Sequence, residues 1–276
     1  MADSRILAEI PSFITSDGSL DLPSVTAAVH RLINEGYDAL IVGGAAGEYE
    51  NLTLDEQRKL IAAALEAADG KAVIIAGVFE LGTAKAAEKI REHAAWGCHH
   101  HLCIPAHYFG FSDPGELQLH FRTLAETDGG VIILDSDEHV GYLMPQEVRA
   151  MLLSIPGVLA VASHSTDTAH ISGAAILREE LRLAGVTGSA FISRLAVLFP
   201  RLCRQGTEKA PVRQAVLNML SLGRHPAAAI KHAACYLGLC GSGEVWPPYM
   251  PLSSRDKQSV EAICALLAQE ERLLHE

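Results

Sequence analysis

The sequence has no apolar run of about 18 residues free of charge, so no transmembrane helix is expected. It has no Cys-x-x-Cys pair. Its six cysteines are scattered at 98, 103, 203, 235, 240 and 264, several in apolar segments such as Ala262-Ile263-Cys264-Ala265-Leu266. They read as buried free thiols in a reducing cytoplasm. No basic patch stands out against a formal charge of −11, which argues against a nucleic-acid partner. Met1-Ala2-Asp3-Ser4-Arg5 lacks the basic start and long apolar run of a secretory leader. No repeat, low-complexity tract or linker divides the chain, so a single domain is expected.

What is present is strongly patterned. With 276 residues and 49% hydrophobic content, the chain can fill one large core. Ala39-Leu40-Ile41-Val42-Gly43, Ala72-Val73-Ile74-Ile75-Ala76 and Val131-Ile132-Ile133-Leu134 are continuous apolar runs, as in strands buried on both faces of a parallel sheet. Amphipathic helices lie between them. Val25, Val29, Leu32 and Ile33 share one helical face, and Leu117, Phe121 and Leu124 line another. Thr53 with Glu56 forms a capping box that starts a helix running to Ala68.

Strand–helix alternation over the whole chain predicts a (β/α)8 TIM barrel with its site at the C-terminal ends of the strands. Strands are expected near 8–13, 38–43, 72–77, 100–104, 131–135, 158–162, 170–172 and 186–190. Only Ser163 to Ala169 separate the sixth and seventh, too few for a helical crossover, so the sixth outer helix is expected to be missing. The barrel would occupy about 1–208 and C-terminal helices about 209–276 of a single domain spanning 1–276.

Several segments, in order, resemble the dihydrodipicolinate synthase / N-acetylneuraminate lyase family. They are Gly44-Ala45-Ala46-Gly47-Glu48 with Leu52-Thr53-Leu54-Asp55-Glu56, Ile104-Pro105-Ala106-His107-Tyr108, His120-Phe121 and Ile132-Ile133-Leu134. Then come His225-Pro226 through Lys231, Leu237-Gly238-Leu239 and Pro251-Leu252-Ser253. The resemblance implies an eight-stranded barrel with C-terminal helices, often tetrameric. Such barrels make or break carbon–carbon bonds beside a keto group, or dehydrate related acids.

The same comparison exposes departures at the positions that carry the chemistry. The resemblance places a Schiff-base lysine on the sixth strand, where this chain has Ala162. The threonines that hold the substrate carboxylate and relay protons match Ala45 and Ala46. The proton-shuttling tyrosine after the fifth strand matches Asp135, and the carboxylate-holding arginine falls in Asp137-Glu138-His139-Val140-Gly141, which has none. Lys231 matches a lysine outside the catalytic set. An imine lyase needs an amine, a proton shuttle and an anchor for the acid group, and all three are replaced.

The expected mouth instead presents Glu48, Glu80, His107, Asp135, Asp137, Glu138, His139, Ser163, His164 and Ser165. Asp135, His164, Glu48 and His139 are the candidate catalytic residues. Ala45, Ala46, His107, Tyr108, Ala162 and Ser163 are the candidate substrate-binding positions. A carboxylate–imidazole set could hold a divalent metal or do acid–base work, but no spacing forms a metal signature, so no cofactor is expected. His99-His100-His101 starts the fourth strand at the bottom of the barrel, where residues serve stability.

Two functions remain open at this point. One is a divergent lyase-family enzyme acting on a small keto or hydroxy-acid-like substrate without a Schiff base. The other is a catalytically inactive relative that binds, regulates or assembles. Either would be a cytoplasmic homo-oligomer, dimer or tetramer, with a small-molecule ligand and neither nucleic acid nor membrane as partner.

Overall fold

A computed structural model of the protein describes residues 6–105, 113–163, 188–205, 210–223 and 225–274. Among these, a parallel sheet closes into a barrel of seven strands: β1 (Ile6–Glu9), β2 (Ala39–Val42), β3 (Val73–Val78), β4 (His100–Cys103), β5 (Gly130–Asp135), β6 (Val158–Ser163) and β7 (Gly188–Ser193). Each strand pairs with its neighbour in sequence, and β7 closes the ring on β1 through Ile6–Phe191 and Leu7–Ile192. The TIM-like barrel with C-terminal helices is thus the architecture expected from the sequence.

The strand count is a correction. β6 bonds directly to β7, with Ala160 opposite Gly188 and Ala162 opposite Ala190, so no strand stands between them. The strand expected at 170–172 and the missing sixth helix fall outside the described residues. β1 also ends earlier than expected. Ile10 still donates its N–H to Ile41, but Pro11 has no N–H with which to extend the ladder.

Helices cover the outside. These are α1 (Leu22–Asn34), α2 (Leu54–Ala68), α3 (Thr83–Ala95), α4 (Pro114–Ala125), the single turn α5 (Asp137–Val140), α6 (Gln146–Leu153) and α7 (Pro200–Gln205). Beyond them lie α8 (Ala210–Ser221), α9 (Pro226–Tyr236) and the long α10 (Ser254–Leu273). The capping box is in place at α2, where Thr53 N–H donates to Glu56 at 2.8 Å and Glu56 N–H donates back to Thr53 at 3.3 Å. Asp113 and Glu116 repeat the device at α4, with Pro114 as the first helical residue.

Strand alternation sorts the side chains into two cores. Leu7, Ile41, Ile75, Leu102, Ile104, Ile132, Leu134, Ala160, Ala162 and Ile192 fill the barrel interior. Val131, Ile133 and Val161 face outward and pack with Leu117, Phe121, Leu124 and Leu152 of α4 and α6. Each fully buried leucine, isoleucine or valine among them stabilises the fold by roughly 1.5–3 kcal/mol relative to exposure. At the top of β2 and β3 the backbones approach closely: a methyl group on Gly77 would lie 1.9 Å from the Gly43 carbonyl oxygen. Among the described residues, no helix is long and apolar enough to cross a membrane.

Candidate functional site

The inner wall where imine chemistry would be expected is aliphatic. Ala162 pairs with Leu134 across β5 and β6, and both side chains are fully buried in the inner cluster. Ala162 therefore faces the barrel interior. Asp135 does not face the mouth. One residue beyond inward Leu134, it points outward, pairs with Arg149 of α6 at 2.7 Å and accepts a hydrogen bond from Met144 N–H at 2.9 Å. The period of two along a strand decides this.

Glu48 is also turned away from the mouth. It sits in the left-handed region, with φ 50° and ψ 48°, and its side chain is fully buried. One carboxylate oxygen accepts from Trp246 N–H at 3.0 Å, and the other forms an ion pair with Lys231 of α9. The Lys231 ammonium lies 4.8 Å from the centre of a Trp246 ring. Burial pushes the Glu48 carboxyl up and the Lys231 ammonium down, and their mutual attraction opposes both shifts. The pair ties the turn after β2 to the C-terminal helices.

What does face the mouth includes two residues the sequence reading passed over, Glu9 and Arg194. Glu9, the last residue of β1, follows inward Leu7 by two and is fully buried. Its carboxylate accepts from Ala46 N–H at 2.8 Å, while the Ala46 methyl is buried in the cluster that includes Leu52 and Leu60. Arg194 follows inward Ile192 by two and is 6% exposed. Its guanidinium donates to both carboxylate oxygens of Glu138, at 3.2 and 2.9 Å. His139 lies beside them, its Nδ1 2.8 Å from the buried Ser136 hydroxyl. The mouth thus has an arginine, supplied by the residue just after the last strand and not by the segment after the fifth.

His225 caps α9 through a bond from Ala227 N–H at 3.3 Å, and of the charges acting on it that of Glu50 comes first, followed by Arg194, Glu138 and Glu9. Burial holds its pKa below the usual imidazole range. Its ring stacks on Tyr249 with centroids 4.0 Å apart. Glu80 accepts from the Tyr49 hydroxyl at 2.9 Å, and Asp137 bonds the Glu138 N–H at 3.0 Å. His107, Tyr108, His164 and Ser165 lie outside the described residues; Ser163 is placed on β6 by its backbone pairing with Asp135.

Two signals could have found the missed residues. A lone carboxylate in the apolar run Leu7-Ala8-Glu9-Ile10 is unusual, because buried charge is costly without partners. Arg194 keeps period two with Ile192 just past a strand. No described lysine is on a strand: Lys59, Lys85, Lys89, Lys231 and Lys257 are on helices, and Lys71 precedes β3. Only Lys209 lies outside the described residues. Among the described residues, no three His, Cys, Asp or Glu side chains are grouped to hold a metal.

The sequence profile of the Dihydrodipicolinate synthetase family matches residues 3–183. The chain belongs to this family. It is 26% identical over 238 residues to the 4-hydroxy-tetrahydrodipicolinate synthase of Stenotrophomonas maltophilia, covering 86% of this chain and 74% of that protein. It is 32% identical over 209 residues to the enzyme of that name from Sphingopyxis alaskensis, covering 70% and 72%. Among solved structures, dihydrodipicolinate synthase from Thermotoga maritima superposes with a TM-score of 0.82 at 20% identity, over 96% of this chain and 99% of that one. A catalytic lysine mutant of Ruminococcus gnavus sialic acid aldolase gives 0.78 at 16% identity, over 98% and 97%. At these identities the structures establish the fold alone.

Proposed function

We propose that this member of the dihydrodipicolinate synthetase family acts on a small keto or hydroxy compound at the barrel mouth, as a lyase-type enzyme that forms no lysine imine. The observation that carries this is the inner wall itself: Ala162 and Leu134 stand side by side, with no amine on any described strand. In place of an imine, polar chemistry falls to Arg194, Glu138, Ser136 with His139, and Glu9. A guanidinium stabilises a developing oxyanion, and an imidazole beside a hydroxyl moves a proton. A second reading, an inactive relative that only binds, draws support from the aliphatic filling beneath the mouth.

The test is to incubate the protein with pyruvate and sodium borohydride and to record its intact mass. No adduct is expected. A covalent adduct mapping to one lysine would sink the proposal. Turnover of small aldol and hydroxy compounds, lost in Arg194→Ala, would favour the enzyme over the inactive relative.

A further inference from the structure

The turn Gly44-Ala45-Ala46-Gly47 closes the C-terminal end of β2, where a parallel barrel places its ligand. Three successive N–H groups, from its last residue Gly47 to Tyr49, are used locally. Gly47 and Tyr49 donate to Gly44 at 3.1 and 3.3 Å, and Glu48 donates to Ala45 at 3.2 Å. The Ala46 N–H is not part of that set. It points across to β1 and meets the Glu9 carboxylate at 2.8 Å. The fit is close: a methyl group on Gly44 would stand 2.3 Å from the same Glu9 oxygen. Gly44 thus lets the carboxylate lie flat against the turn.

A backbone N–H at a barrel mouth is a natural donor for a ligand's acid group, because a hydrogen bond to an ionised carboxylate is stronger than one to a neutral acceptor. In this chain that donor already has a carboxylate. The second anchor for an acid, Arg194, is held by both oxygens of Glu138. Alanine at 45 and 46 adds no hydroxyl. A ligand carboxylate entering here would displace Glu9 or stand beside it at low dielectric, where like charges repel strongly. A hydroxyl or carbonyl group meets no such barrier, and a hydroxyl can donate to the Glu9 carboxylate.

We infer that Glu9 is a built-in carboxylate on the acid-docking N–H of the Gly44–Gly47 turn, and that it restricts this mouth to uncharged hydroxy or carbonyl compounds. The choice of ligand class rests on the proposal that the mouth binds a small molecule; the occupation of the turn by Glu9 does not.

Two experiments separate these levels. The first is thermal unfolding of Glu9→Ala in sodium formate and, at equal ionic strength, in sodium chloride. Formate is expected to raise the Tm of the variant by several degrees and to leave the unaltered protein unchanged, because it fills the vacated site. If the variant does not fold alone, the yield of folded protein with and without formate gives the same comparison. No response to formate, or an equal response in both proteins, overturns the inference.

The second is a pair of binding titrations, hydroxyacetone against pyruvate, in the unaltered protein and in Glu9→Gln. Hydroxyacetone is expected to be preferred, and the ratio is expected to move about tenfold toward pyruvate in Glu9→Gln, which removes the charge and keeps an acceptor for Ala46. An unmoved ratio overturns the ligand class. Formate rescue with no binding of either compound would keep Glu9 on the turn and would sink both the ligand class and the reading on which it rests.

Discussion

Single residues decide the chemistry of this barrel more than any element does. Ala162 and Leu134 stand side by side on the inner wall, and Glu9 and Arg194 place charged groups at positions no motif marks. The Glu48–Lys231 pair shows how a familiar site residue can take a structural role once it is buried. Breaking such a pair leaves one charge uncompensated. Lys231→Met is expected to lower the unfolding free energy by about 3–5 kcal/mol, read by urea denaturation. Adding Glu48→Gln to that variant is expected to recover part of the loss, because the stranded carboxylate is gone. A double variant no more stable than Lys231→Met would refute the assignment.

Elements bring these residues together through short, well-capped connections. Helix α2 starts where the Thr53–Glu56 capping box satisfies two backbone donors, and the Gly44–Gly47 turn before it is tied to β1 by Ala46 N–H on Glu9. Thr53→Ala is expected to cost about 1 kcal/mol, measured as a shift in the urea midpoint at unchanged slope. This much was legible in advance: the Thr-x-x-Glu spacing and the apolar face of the helix are local signals. The inward or outward sense of a strand residue was less so. The match to the family's tyrosine places Asp135 at the mouth, yet the apolar run Val131–Leu134 is buried on both faces and carries no alternation to show its phase. Only contact with α6 reveals it.

At the scale of the whole molecule, the buried imidazoles predict an acid response. His93 of α3 and His101 of β4 stack with centroids 5.6 Å apart, and burial lowers their pKa values to about 3 and about 4. The unfolded chain, near 6.5, binds more protons than the folded one between those values and 6.5. Stability is therefore full above about pH 6.5 and falls as the pH drops toward 4. A urea midpoint that declines from pH 6.5 to 5, above the range where ordinary carboxylates titrate, is the expected result. The slope should flatten in the double variant His93→Leu/His101→Leu. An equal slope in both proteins would assign the acid sensitivity elsewhere. The family fold survives such local substitution because each strand contributes one face to the interior and one to the helical layer, and both are satisfied by aliphatic volume.

The sequence alone determined the alternation of apolar runs and amphipathic helices, the caps, and the absence of a lysine at the sixth strand, because periodicity, capping and residue identity are properties of neighbours along the chain. Tertiary structure alone decided that the barrel closes on seven described strands, that Asp135 and Glu48 turn away, and that Glu9 and Arg194 turn in. Those outcomes depend on which distant side chain meets each charge when it leaves water. A buried carboxylate goes where an N–H or a cation is waiting, and only the closed barrel fixes where those donors stand.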